Sequence, residues 1–181
     1  MRHMPRRPGK DSLPGEKIRA GKSALAASYP VLLPVDVDKR TLVGRAKVAH
    51  LSACAREALA LSAQRTGITL GVLEKNDNGA PLPSNGYYWS LAHKSDYVTA
   101  VAADVPIGID IEKARTVTPG LYQKIATEEE WRLGSESREH LFFRYWTAKE
   151  AVLKVAGTGI RELAYCRITR VVDEQFILLD F

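Results

Sequence analysis

A chain of 181 residues, 45% hydrophobic and 26% charged, has the length of one domain or of two small halves sharing a core, and the composition of an ordinary folded protein. This excludes wholesale disorder, a collagen-like repeat and a disulfide scaffold, and no apolar run approaches the roughly 20 residues of a bilayer span. Lys and Arg number 26 against 21 Asp and Glu, a formal charge of +5. That surplus lies in residues 1–22, where Arg2, Arg6, Arg7, Lys10, Lys17, Arg19 and Lys22 face only Asp11 and Glu16. The segment is rich in Pro, Gly and Arg, lacks apolar periodicity, and reads as a basic, disordered tail. The neutral body offers no basic patch interleaved with aromatics, so no nucleic acid and no membrane partner is expected. Ala24 to Ala27 is too short for a secretory core. Cys54 and Cys166, without metal-ligand spacing, read as buried thiols of a cytoplasmic protein.

Along the chain, Leu42, Val48, Leu51, Ala55, Ala58, Leu59 and Leu61 recur near helical spacing and Gly67 follows, predicting a helix from Thr41 to about Arg65. Ile68 to Leu73 reads as a strand, Asn76 to Pro81 as a turn, and Tyr87 to Ala92 as a second strand. Tyr97 to Ala103 and Pro106 to Glu112 read as further strands joined in a hairpin at Asp104-Val105. Thr127 with Glu130 three residues on is a capping box, predicting a short helix through Trp131. A helix from about Glu139 to Ala156 should stop at Gly157-Thr158-Gly159, with Tyr145, Ala148, Val152 and Val155 facing the core. Two strands should fill Tyr165 to Phe181.

A faint repeat relates Ala55-Arg56-Glu57-Ala58-Leu59, then Thr66-Gly67-Ile68, to Ala148-Lys149-Glu150-Ala151-Val152, then Thr158-Gly159-Ile160. The fold class is α+β, and the repeat points to two similar halves, 23–103 and 104–181, each a helix on an antiparallel sheet, related by a pseudo-twofold axis.

Within 106–112, a period of two sends Ile107, Ile109 and Ile111 to one face and Gly108, Asp110 and Glu112 to the other. Adjacent carboxylates on one face repel unless a positive charge lies between them, which suits a hard divalent cation; a solvated edge strand is the plain alternative. On the later helix Glu150 and Lys154 share a side at i, i+4, the spacing of a surface ion pair. Trp146 and Leu153 flank that side, so Glu150 is expected in a confined place. With Asp110 and Glu112 it would supply three oxygens, the donor set Mg²⁺ takes.

Ile107-Gly108-Ile109-Asp110-Ile111-Glu112 followed by Trp146-Thr147-Ala148-Lys149-Glu150-Ala151-Val152-Leu153-Lys154 resembles the two signature blocks of the 4′-phosphopantetheinyl transferase superfamily, G-[IV]-D and [FW]-[SCT]-x-K-E-[AS]-x-x-K. Trp89 to His93 is similar to the family's strand ending in Ser-His, and Gly79-Ala80-Pro81 stands where its Gly-Lys-Pro turn is expected. The two-halved chain points to the surfactin-type branch, shortened. The resemblance implies the family's fold and Mg²⁺-dependent transfer of the phosphopantetheine arm of coenzyme A to a serine of an apo acyl or peptidyl carrier protein, releasing 3′,5′-ADP. It implies that Asp110, Glu112 and Glu150 hold the metal, that Glu150 takes the serine proton, and that Lys154 balances charge on the departing phosphate. It places Lys149 and His93 on coenzyme A. Ala80 and Ala92 replace an expected lysine and serine; Lys75 or Lys94 would restore a cation. The other reading of the same resemblance is an inactive carrier-binding module.

Overall fold

The computed structural model describes residues 27–181, so the basic segment 1–22 lies outside the described residues. Two cores organise the chain. In the first, the 23-residue helix α1 (Gly44–Thr66) crosses a three-stranded antiparallel sheet in the order β1-β3-β2, from β1 (Val31–Pro34), β2 (Tyr88–His93) and β3 (Tyr97–Ala103). The buried face of α1 is Leu51, Ala55, Ala58, Leu59, Ser62 and Ala63, its two central alanines letting the helix lie close on the sheet. Truncating Leu59, only 1% exposed, to Ala is a change that costs about 2–5 kcal/mol in such cores. Ser62 Oγ donates to the Tyr29 carbonyl at 2.6 Å and accepts from the Ala102 amide at 3.0 Å, joining helix, sheet and the approach to β1. Gly67 ends the helix in the left-handed region at φ 73°, where a side chain would be strained.

The second core holds α2 (Pro119–Ile125), α3 (Glu128–Trp131), α4 (Arg138–Ala156) and the hairpin β4 (Arg167–Val171) with β5 (Ile177–Asp180). Tyr145 is fully buried at its centre, stacked on Trp131 with ring centroids 5.1 Å apart. The capping box is present: Thr127 Oγ1 accepts from the Glu130 amide, and Glu130 Oε2 accepts from the Thr127 amide. The expected terminal strands are found.

Several expectations are corrected. Ile68–Leu73 and Pro106–Glu112 join no sheet, and Asp104-Val105 turns no hairpin. In each segment a backbone amide bonds to a side chain in place of a ladder partner: the Gly71 amide to Ser84 Oγ, the Ile109 amide to Ser90 Oγ. The inward stripe of α4 is Leu141, Phe142, Tyr145, Lys149 and Leu153, while Val155 is 46% exposed. α4 is capped by Gly157 at φ 68°, not by the Gly159 that the repeat aligns with Gly67. Cys166 is buried and Cys54 only half-buried. Among the described residues no helix is long and apolar enough to cross a membrane.

Candidate functional site

Residues 106–112 thread between the two cores. The Ile109 amide donates to the buried Ser90 Oγ of β2 at 3.1 Å, and the Ile109 carbonyl accepts from Lys154 Nζ of α4 at 2.7 Å. Gly108 lies directly on α4, where a Cβ would stand 1.9 Å from the Ala151 carbonyl oxygen. The alternation expected of a strand thus survives without a ladder, because Gly108, Asp110 and Glu112 all turn to α4. Asp110 Oδ1 accepts from Lys154 Nζ at 2.8 Å. Glu112 Oε1 accepts from Trp146 Nε1 at 3.0 Å and pairs with Lys94 Nζ at 2.5 Å.

Glu150, one turn before Lys154, shares with it a cleft of about 120 Å³ whose other wall is the turn Asn78-Gly79-Ala80-Pro81. Ala80 packs at the end of α4, its Cβ 3.2 Å from where a Gly157 Cβ would stand. Burial pushes the Glu150 carboxyl above the ordinary carboxylate range, the charge of Asp110 adds to the shift and Glu112 contributes less, against the opposing pull of Lys154. The charges of Asp110 and Glu112 that act on Glu150 are therefore only partly offset by Lys154 and Lys94.

His93 stands at the exposed end of β2 beside the hairpin tip that carries Lys94. Its imidazole is held below its ordinary value, by burial first, then by the charges of Lys154 and Lys94, with Lys75 adding less. The structure accordingly brings together Asp110, Glu112, Glu150, Lys154, Lys94 and His93, with Lys75 at the margin. Ala92 is buried opposite Thr99.

Lys149 is not among them. It is 2% exposed and points into the second core, where its Nζ donates to Glu130 Oε1 and to the Ile125 carbonyl, each at 2.7 Å. The expectation that it touches coenzyme A is corrected by this burial: the adjacent Glu150 faces the cleft because the two side chains are about 100° apart on the helix.

Among the described residues no group of three or more His, Cys, Asp or Glu side chains is placed to hold a metal ion. Two observations nevertheless suit a hard cation: Asp110 Oδ2 is buried without a hydrogen-bond partner, and the Glu150 carboxyl is raised, by burial first and then by the charge of Asp110. A buried carboxylate oxygen without a donor is costly, and an oxygen-seeking divalent ion removes both defects. The residue types and spacing were visible in the sequence; Ser90, which anchors the carboxylate-bearing segment, was missed as a site residue, since a buried serine in a strand carries no local signal.

Residues 106–178 match the family model described as the 4′-phosphopantetheinyl transferase superfamily. The chain is 29% identical over 147 residues, 77% of its length and 58% of the relative's, to 4′-phosphopantetheinyl transferase psf-1 of Bacillus pumilus. It is 26% identical over 93 residues, 49% of the chain and 39% of the relative, to 4′-phosphopantetheinyl transferase gsp of Aneurinibacillus migulanus. With 4′-phosphopantetheinyl transferase HetI of Nostoc sp. it shares 34% identity over 103 residues, 53% of the chain and 44% of the relative. The chain therefore spans from about two fifths to three fifths of the length of these relatives. The family resemblance carried by the two sequence blocks is borne out.

Proposed function

From the match of residues 106–178 to the 4′-phosphopantetheinyl transferase superfamily, we propose that the chain transfers the phosphopantetheine arm of coenzyme A to a serine of an apo acyl or peptidyl carrier protein in a Mg²⁺-dependent reaction, releasing 3′,5′-ADP. The single observation that carries the reading is the grouping of Lys154 with the carboxylates: Glu150 and Lys154 line one cleft, Asp110 is bonded to Lys154 with its Oδ2 left without a donor, and the charges of Asp110 and Glu112 both act on the Glu150 carboxyl. Asp110, Glu112 and Glu150 would hold Mg²⁺, which when bound supplies charge neutralisation at a pyrophosphate. Lys154, fixed by Ile109 and Asp110, places a cation beside the leaving phosphate, where a preorganised charge is worth most. Glu150 would receive the serine proton, its carboxyl raised first by burial and then by the charge of Asp110, a direction that makes it a stronger base. His93, Lys94 and Lys75 make a polyanion-binding margin. Arg115 and Lys94 flank an apolar groove of about 270 Å³ beside Glu112, lined by Leu121, Phe142 and Trp146, which suits an acidic carrier with an apolar contact.

The halves, 23–103 and 104–181, are proposed to be related by a pseudo-twofold axis; in support, each places one long helix, stopped by a left-handed glycine, ahead of an antiparallel hairpin. The cytoplasm is the proposed compartment. The test is release of 3′,5′-ADP from coenzyme A in the presence of an apo carrier and Mg²⁺. Release that needs all three components supports the proposal; binding of carrier without release would make the chain a carrier-binding module.

A further inference from the structure

The one lysine of the signature block that turns away from the cleft sits in the most saturated polar site of the second core. Glu130 Oε1 accepts from Lys149 Nζ at 2.7 Å and from the Ile168 amide of β4 at 2.8 Å, while its Oε2 accepts from the Thr127 amide at 2.8 Å. The Glu130 carbonyl accepts from Tyr145 Oη at 3.0 Å, and the next residue, Trp131, stacks on the Tyr145 ring. Lys149 Nζ also donates to the last buried carbonyl of α2, that of Ile125. One buried ion pair thus ties α2, α3, α4 and β4 together.

We propose that Glu130 and Lys149 form an internal strut that sets the rotation of α4, making Lys149 a positioning residue that aims Glu150 and Lys154 into the cleft. Tyr145, Lys149 and Leu153 lie at i, i+4 and i+8, one row of the helix, each 2% exposed or less. Holding that row inward by polar bonds at two levels leaves the row of Glu150 and Lys154 only one direction to face. Apolar packing alone would tolerate some rolling of the helix; a lysine bound to two fixed oxygens does not, because rolling would leave a buried charge unpaired. The same saturation bars Lys149 from a ligand, since withdrawing it would strand the Glu130 carboxylate in the core.

The inference rests on the proposed transfer for its catalytic readout but not for its structural one. The test compares full-length wild type, Lys149→Met, Glu130→Gln and the double variant by thermal denaturation, by calorimetric titration with Mg²⁺ and coenzyme A, and by transfer kinetics. Lys149→Met should lower Tm by on the order of 10 °C, because it leaves a buried carboxylate unpaired. Where it folds, kcat should fall while KM for coenzyme A moves less than about threefold. The double variant, with no unpaired charge, should be more stable than Lys149→Met and should regain part of kcat. If Lys149→Met does not fold, recovery of a folded double variant supports the strut in the same way. A Tm within about 2 °C of wild type in Lys149→Met would overturn the strut. So would a double variant no better than the single one, or tenfold weaker coenzyme A binding at unchanged Tm, which would return Lys149 to the ligand. Should the wild type bind no coenzyme A, the transfer reading fails and the stability cycle alone decides the strut.

Discussion

Gly108 rests on the backbone of Ala151, with no side chain between the segment that carries the carboxylates and the helix that carries Glu150. A Cβ on Gly108 would meet not only the Ala151 oxygen but also its carbonyl carbon at 2.8 Å, a backbone obstacle that no rotamer change relieves. The separation of Asp110 and Glu112 from Glu150 is therefore set at this contact.

Gly108→Ala should force the segment off α4 and cost about 1–3 kcal/mol or more in overpacking. It should also draw Asp110 away from Lys154, so transfer should fall further than stability. Denaturation and turnover measured on the same preparation check this; full activity would mean that the contact does not position the site.

Asp110→Asn keeps the shape and the bond from Lys154 but removes the charge of the orphaned oxygen. Transfer should drop at least about a hundredfold, as expected when a cation ligand worth several kcal/mol is lost. Tm in chelator should hold or rise, because a carboxylate that repels Glu150 is gone. Mg²⁺-dependent turnover near the wild-type level would remove Asp110 from the metal set.

Glu150 is raised in the folded protein, so its ionised form destabilises the fold above the ordinary carboxylate range, and the cost disappears as pH falls through the raised value to the ordinary range. Glu150→Gln should accordingly raise Tm at neutral pH in chelator, with the gain shrinking to nothing in acid. Thermal scans across pH check the trend; a gain that grows in acid would contradict it.

Glu130 has the opposite sign. Burial alone would raise its carboxyl, but the bonds from Lys149, Thr127 and Ile168 outweigh burial and hold it below the ordinary range. Its stabilisation is present above that range and lost as pH falls through the lowered value. Glu130→Gln should flatten the loss of stability in acid, as read from denaturation midpoints between neutral and strongly acidic pH.

Ala80 lies on the cleft wall opposite Glu150 and Lys154. Ala80→Lys should tighten Mg²⁺-coenzyme A binding by on the order of tenfold through a charge-assisted contact, without raising kcat, since such a contact serves substrate and transition state alike. Titration of wild type, Ala80→Lys, Lys75→Ala and Lys94→Ala checks it, and unchanged affinity throughout would show that neither turn nor lysines read the nucleotide.

What was legible in the sequence is what local rules decide. The long helices announce themselves by periodicity and by Gly67 and Gly157, α3 by the Thr127–Glu130 box, and β2 and β3 by their apolar runs. Pro106–Glu112 has the alternation of a strand, yet its amide and carbonyl partners are Ser90 and Lys154, distant side chains that no local pattern reveals. β1 escaped notice because four residues, Val-Leu-Leu-Pro, hold no alternation. α2 was missed although Thr118-Pro119 is a helix-start signal. Asp110, Glu112, Glu150 and Lys154, the residues of the proposed site, stood out by their spacing together with the two sequence blocks. Lys149 was misplaced because a lysine is assumed to seek water; its i, i+4 relation to Tyr145 and Leu153 was the available warning.

The central claim is tested most directly by the intact mass of an apo carrier protein incubated with the full chain, coenzyme A and Mg²⁺. The carrier should gain one phosphopantetheine, and the gain should be absent when Mg²⁺ is chelated and absent with Asp110→Asn. An unchanged carrier mass across acyl and peptidyl carriers, with coenzyme A and Mg²⁺ saturating, would contradict it.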